Sequence, residues 1–317
     1  MARPLPIRII EIVVSHLVAY VGNEPDNMAC ALFSARSALA SRATDQPEGW
    51  GLGFIQGGDV LLQKRPRVES AEVDLYGLIK DLRADAVVAR VGFDCVGSAP
   101  VGSARVGAAP VDAAPVGSAH DGNTAAEDAD PFRFRSWLFG SVGEISATAF
   151  EGVRERLLDS VPAFLRRNIR GRSPSEHVFH LFLAFLHDAG SLDAPSPSPA
   201  VVHGALRHSM TFLDRLLEGS GSPSVQLALV ATNGRCLVAA NGAHPLRYLH
   251  VEGISDCPVC HGRVDRDRGG RRIQHEGVRA VILEANRAAP ARAGWRDVPD
   301  CSAVIVGADR VPTISPI

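Results

Sequence analysis

Ser15-His16-Leu17-Val18-Ala19-Tyr20-Val21-Gly22 is the stretch on which the reading of the fold turns. From His16 to Val21 it is a compact β-prone run, and the turn-forming pair Gly22-Asn23 closes it, so it reads as a strand. Downstream, Gly51 to Gln56, then Gly57-Gly58, then Asp59 to Lys64 reads as a β-hairpin. Ser70 to Leu82 puts Val73, Leu75, Leu78, Ile79 and Leu82 near one stripe at helical spacing, which predicts a helix. Asp85 to Val91 returns to strand. The order strand, segment, hairpin, helix, strand fits a layered α/β or α+β domain.

The whole-chain numbers set the outer bounds. At 317 residues, with 46% apolar and 21% charged content, the chain has ordinary globular composition and is not expected to be disordered throughout. Its 33 basic and 35 acidic residues leave a formal charge of −2, without the basic surplus that a phosphate backbone demands, so no nucleic-acid partner is expected. Six cysteines in a chain this long do not make a disulfide framework, and a reducing cytoplasm is the expected setting. The stretch Met1 to Val14 carries a short apolar run broken by Glu11, too short for a signal peptide or a span. No segment reaches the roughly 18 consecutive apolar residues of a spanning helix, so a soluble protein with no membrane partner is expected.

Between Val96 and His120 one pentapeptide, Val-Gly-Ser-Ala-Pro in its first copy, is repeated five times in tandem. A five-residue period rich in Gly, Pro and Ala suits neither helix nor strand and buries too little apolar area to offset its ordering entropy. It is read as a flexible surface insertion within residues 96–130, tolerated because closing a longer loop costs little. The pattern resumes at Phe132 to Phe139, whose alternation predicts one strand. Helical patterns follow over Thr148 to Ile169, despite Pro162, then over the nearly all-apolar Ser175 to Ala189 and over His203 to Leu217. Further strands are expected at Val225 to Thr232, Cys236 to Ala240, Leu246 to Val251, Arg279 to Leu283 and Ser302 to Val306. Residues 1–14 then form an N-terminal extension and 15–317 a single domain.

Ser15 to Gly22, Glu48-Gly-Trp-Gly-Leu-Gly-Phe54, Asp130-Pro-Phe-Arg-Phe-Arg-Ser-Trp-Leu-Phe139 and Ser173-Pro-Ser-Glu-His177 stand in the order and spacing of the class II glutamine amidotransferases. Over about Ser15 to Leu283 the chain resembles that family, and within it the stand-alone bacterial branch. The resemblance implies an α+β fold, the four-layer αββα N-terminal-nucleophile hydrolase sandwich. It also implies an activity, hydrolysis of the glutamine amide, in which an N-terminal cysteine attacks and its own α-amine is the base.

Motif by motif, the chain departs from that pattern. Ser15 stands at the nucleophile position behind fourteen residues, and an amine tied up in a peptide bond is no base. Removal of Met1 to Val14, or a start at position 14, would expose Ser15 as a hydroxyl nucleophile. The family's carboxylate-clamping arginine falls at Gly92 in Arg90-Val91-Gly92, with Arg90 expected on the opposite face of the strand. The family's Asn-Thr-His-Pro-Phe becomes Asp128-Ala129-Asp130-Pro131-Phe132, or Asn123-Thr124 split from Pro131 by an insertion. Its oxyanion-hole His-Asn-Gly becomes Ser141-Val142-Gly143, leaving only the Gly143 N–H, and the aspartate that holds the substrate ammonium is Pro174.

Ser15 and Gly143 are therefore the catalytic candidates that the resemblance implies, and Trp50, Gly51 and Phe132 the substrate-binding ones. The alternative reading makes Trp50 and Trp137 core residues and Gly51 and Gly53 points of close backbone approach. The leading expectation is an impaired amidotransferase-like protein that binds a protein partner or a small amino-acid-like ligand; the competing one is an active amide hydrolase using Ser15.

No cofactor and no metal are expected. Cys257-Pro-Val-Cys260 has the spacing of half a zinc knuckle, with His250, His275 or Cys301 able to complete it; it is read first as an incidental loop pair, with a structural zinc site and a redox-sensitive dithiol as the alternatives. His177, His180 and His187 are read as helix residues in a core-like setting rather than metal ligands.

Overall fold

The computed structural model describes residues 16–42, 49–65, 72–92, 127–221, 225–255, 257–260, 264–265, 271–272, 275–286 and 292–317. The first part of the chain runs β1 (His16–Gly22), α1 (Met28–Phe33), α2 (Arg36–Leu39), β2 (Ala40–Arg42), β3 (Trp50–Gln56), β4 (Asp59–Arg65), β5 (Glu72–Asp74), α3 (Leu75–Ile79) and β6 (Ala86–Val91). The middle is β7 (Phe132–Phe134), β8 (Trp137–Glu144), α4 (Ala147–Asp159), α5 (Ala163–Arg166), α6 (Pro174–Asp188) and α7 (Pro199–Glu218). In the last part the elements among the described residues are strands: β9 (Gln226–Thr232), β10 (Leu237–Gly242), β11 (Leu246–Glu252), β12 (Val264–Asp265), β13 (Arg271–Arg272), β14 (Arg279–Ala285), β15 (Trp295–Asp297), β16 (Ser302–Val306) and β17 (Pro312–Pro316).

Among the described residues seven strands form one antiparallel sheet in the order β15-β11-β14-β1-β6-β3-β4, and six form a second in the order β17-β16-β10-β9-β8-β7. β1 lies inside the first sheet between β14 and β6, and all seven of its residues are buried. A strand covered on both faces loses polar alternation and reads as a continuous apolar run, which is why residues 16–21 look as they do. Leu17, Ala19 and Val21 join one apolar cluster with Val88 of β6, Val142 of β8 and Val230 of β9, so side chains of both sheets meet there. Val18 and Tyr20 face the other way, into a cluster with Met28 and Leu32 of α1 and Leu75 and Ile79 of α3. Beyond the second sheet Trp137, Phe139 and Leu229 pack against Phe179 and Phe182 of α6 and Leu206 and Leu213 of α7.

The hairpin at Gly57-Gly58 forms as the sequence implies: Gln56 faces Asp59, and both glycines take positive φ, 61° and 91°. Three expectations need correction. Phe132 to Phe139 is a hairpin of two strands, because Arg135 turns the chain at φ 52° and brings Phe132 opposite Phe139. Ser70 to Leu82 is split, because Asp74 caps a helix that starts only at Leu75 by accepting the Gly77 N–H at 2.9 Å. The segment from Thr148 divides at Pro162, which stands at the N-cap of α5.

Candidate functional site

At one end of the space between the sheets the backbones come very close. Gly51 of β3 has no room for a side chain: a Cβ there would lie 1.9 Å from the carbonyl oxygen of Asp130 and 2.9 Å from the ring of Pro131. Gly53, two residues on and on the same face, meets Leu138 and Pro131, and Gly140 of β8 meets Val88 and Leu17. These glycines let the segment before β7 lie directly on the first sheet. Glu127 to Asp130, inside the stretch read as insertion, are described and anchored: the Asp128 carboxylate accepts the Ser173 N–H at 2.8 Å, and Asp130 is 1% exposed. The pentapeptide array and Asn123-Thr124 lie outside the described residues.

Asp130 meets Arg90. Nη1 of Arg90 donates to Oδ2 of Asp130 at 2.6 Å, and both residues are buried. The Ser141 N–H donates to the other carboxylate oxygen at 2.9 Å, and the Ser141 hydroxyl donates to Ser175 at 2.7 Å at the start of α6. Burial pushes the Asp130 carboxyl above its ordinary value, against the pull of the Arg90 guanidinium and the Ser141 N–H. The expectation that Arg90 sits on the wrong face is corrected. β6 sends Ala86 and Val88 into the inter-sheet cluster, Arg90 follows at the same period of two, and position 92 falls in that register too.

The remaining candidates are not brought together as one set. Ser15 lies outside the described residues. Trp50 packs with α1 and α3 on the outer side of the first sheet, whereas Phe132 packs with α6 beyond the second. Gly143 has φ 129° and its missing Cβ would lie 2.0 Å from the Gln226 carbonyl oxygen, so the backbone itself demands glycine there. Val142 is fully embedded in the inter-sheet cluster, and Pro174 opens α6. Trp137 is wholly buried and donates its indole N–H to the Leu192 carbonyl at 3.1 Å.

Next to the Asp130 segment a pocket of about 370 Å³ is lined by Lys64, Phe132, Arg170, Glu176, Phe179 and His180, among others. Lys64 holds its ammonium 4.8 Å above the Phe132 ring, and burial lowers its pKa against the pull of Asp130 and Glu176. Burial raises the Glu176 carboxyl, although the Arg170 and Gly171 N–H groups donate to it at 3.0 and 2.7 Å. His180 is pushed down to about 4 by burial; its Nδ1 faces the Glu176 carbonyl at 2.9 Å and so carries the proton, while Nε2 has no hydrogen-bond partner among the described residues. His177 faces the Ser173 carbonyl at 2.8 Å in the same way. The lining thus combines the cations Lys64 and Arg170, the Glu176 carboxyl, a neutral imidazole and an aromatic wall.

A second buried polar group escaped sequence reasoning. Glu284 of β14 is 1% exposed and is met by His16 at 3.2 Å, by Arg247 through Nε at 2.8 Å, and by Arg292 at 2.9 Å. Burial alone would raise its pKa, but the His16 hydrogen bond and the surrounding cations outweigh burial and hold it below the ordinary value. The signal in the sequence was a charge inside each of two apolar strands, Glu284 in Val-Ile-Leu-Glu-Ala and Arg247 in Leu-Arg-Tyr-Leu.

No protein-family model matches the chain, and no curated protein matches it. Solved structures do match. A glutamine aminotransferase class-II domain protein from Silicibacter pomeroyi is 15% identical with a TM-score of 0.53, over 95% of this chain and 98% of that one. The likeness is one of fold. A predicted glutamine amidotransferase from Pseudomonas aeruginosa is 12% identical over 95% of each chain, with a TM-score of 0.47. The glutamine phosphoribosylpyrophosphate amidotransferase from B. subtilis is 11% identical, with a TM-score of 0.46, and the match covers 95% of this chain and 49% of that one. These neighbours are glutamine amidotransferase-type proteins. This chain combines helices with antiparallel sheets. Among the described residues no helix is long and apolar enough to cross a membrane.

Proposed function

We propose that this chain is a class II glutamine amidotransferase-like protein, built as a four-layer αββα N-terminal-nucleophile hydrolase sandwich, whose glutaminase centre is impaired and which acts by binding a partner or an amino-acid-like ligand. The layering rests on the three apolar clusters, one between the sheets and one outside each. The bacterial branch and a cytoplasmic setting belong to the same reading and rest on the sequence alone.

The observation that carries impairment is the buried contact between Arg90 and Asp130. An arginine on the inter-sheet face is the group that could grip a substrate carboxylate by a charge-assisted hydrogen bond. Here a carboxylate of the chain itself already holds that guanidinium at 2.6 Å and is fixed in turn by the Ser141 N–H. A glutamine carboxylate would have to displace Asp130 and leave it buried beside a new charge. Val142 adds to the defect: an isopropyl group in the inter-sheet core cannot donate a hydrogen bond to an oxyanion, and one such donor is worth ~10²–10³ in rate. The pocket lined by Lys64 and His180 is the place for a small ligand, its carboxylate facing the Lys64 ammonium.

The test is ammonia release from L-glutamine by the full chain and by a chain made to begin at Ser15. Both are expected to stay at the uncatalysed background. Turnover by the second chain that is lost in Ser15→Ala would establish the hydrolase instead.

A further inference from the structure

Cys257 and Cys260 stand in a turn after β11, on the excursion that returns to the sheet as β14. Cys30 stands on α1, far away in sequence, yet its sulfur lies 3.3 Å from that of Cys260. His275, just before β14, completes the group, and one ligand atom from each of the four lies within 4.8 Å of the others. Cys30, Cys257 and His275 are 6%, 9% and 6% exposed, and Cys260 is partly buried.

We propose that Cys30, Cys257, Cys260 and His275 form a structural zinc site. Three thiolates and one imidazole are a closed tetrahedral set of the kind zinc prefers, with no position left for water or substrate. At a metal–sulfur distance of about 2.3 Å, tetrahedral ligands place sulfurs about 3.8 Å apart, so a shift of a few tenths of an ångström opens the Cys30–Cys260 contact to that span. His275 supplies the independent observation: both ring nitrogens are buried and, among the described residues, neither has a hydrogen-bond partner. An imidazole left so is costly, and coordination through one nitrogen removes part of that cost. The sequence pointed to the Cys-x-x-Cys pair but supplied no fourth ligand; the fold supplies Cys30 and leaves Cys301 and His250 outside the cluster.

The metal would tie α1, on the outer face of the first sheet, to the connection between β11 and β14. Binding exchanges thiol protons for the metal: three S–H bonds are broken, three S–Zn bonds form, and three protons go to solvent.

The experiment uses the full chain isolated under reducing conditions without chelator. Metal analysis is expected to give about one zinc per chain, and titration with an organomercurial in the presence of a zinc indicator to release it as the thiols are consumed. Cobalt substitution is expected to give thiolate-to-cobalt charge-transfer and tetrahedral d–d bands. Cys257→Ser is expected to lower zinc content at least tenfold, and His275→Cys to keep the metal while shifting the cobalt bands toward a four-sulfur site. A native chain with no bound metal, or zinc retained fully in both Cys257→Ser and Cys30→Ser, would each overturn the proposal.

Discussion

Arg90 of the first sheet and Asp130 at the edge of the second are joined by a 2.6 Å hydrogen-bonded ion pair buried from solvent. Breaking one side of such a pair strands a charge in the interior, at a typical cost of about 3–5 kcal/mol, whereas exchanging both partners for apolar residues of similar volume is often neutral. Arg90→Met and Asp130→Leu are each expected to destabilise by that amount in urea unfolding, and the double variant to recover most of it. Additive losses in the double variant would mean that the two residues matter for reasons other than each other.

Gly51 and Gly152 make a matched contrast. A Cβ at Gly51 would overlap the backbone of Asp130, which has no free rotamer with which to give way, so Gly51→Ala is expected to cost about 2–3 kcal/mol. Gly152 lies exposed on α4 with nothing near its missing Cβ, and Gly152→Ala is expected to gain about 0.5–1 kcal/mol by restricting the unfolded chain. Equal effects on the urea midpoint would contradict the close approach of the two sheets at Gly51.

Acidification should destabilise the fold in two windows. His180 falls from 6.5 to about 4 on folding, so between these values the unfolded chain takes up a proton that the folded chain refuses. Stability is therefore lost as pH falls through that range, by at most about 3 kcal/mol from this residue. Glu284 is held below its ordinary 4.5, so its contribution is intact above that pH and disappears only as pH falls below it. The raised Asp130 and Glu176 carboxyls act with the opposite sign, because the folded chain takes up their protons first, but they are common to the native chain and His180→Leu. Between pH 6.5 and 4.5 the urea midpoint of the native chain should therefore fall more steeply on acidification than that of His180→Leu. An unchanged slope in that variant would remove His180 from the account.

The two sheets were legible because their central strands are buried on both faces and announce themselves as apolar runs: β1, β9 and β14 all lie where the sequence placed strands. Short edge elements were not, since the Trp295–Asp297 and Pro312–Pro316 strands carry little apolar pattern of their own. The hairpin at Arg135 was missed because its turn uses a positive-φ arginine instead of Gly or Asn, the residues that mark such turns. At the site, the departures read at Gly92, Val142 and Pro174 rest on the sequence alone, and the pairing of Arg90 with Asp130 left no sign in it. Arg90 and Asp130 are forty residues apart, and only the inter-sheet geometry pairs them. Cys30 is hidden for the same reason, lying 230 residues from the sulfur it touches.

The pentapeptide stretch bears on stability in a direction that sequence reasoning alone supplies. Loop-closure cost grows by only about 0.6 kcal/mol per doubling of length, so exchanging Val96 to His120 for a short Gly/Ser link should leave Tm unchanged or slightly raised. Loss of folding on that exchange would show that the repeats contribute structure.

Titration calorimetry with L-glutamine tests the central claim most directly, because it reads the clamp without relying on turnover. With Arg90 held by Asp130, the full chain and the chain beginning at Ser15 should both bind glutamine no more tightly than about millimolar, which is about −4 kcal/mol. Micromolar affinity in either chain, abolished by Arg90→Met, would contradict the account: Arg90 would then be a working substrate clamp, and Asp130 its resting partner in an intact site.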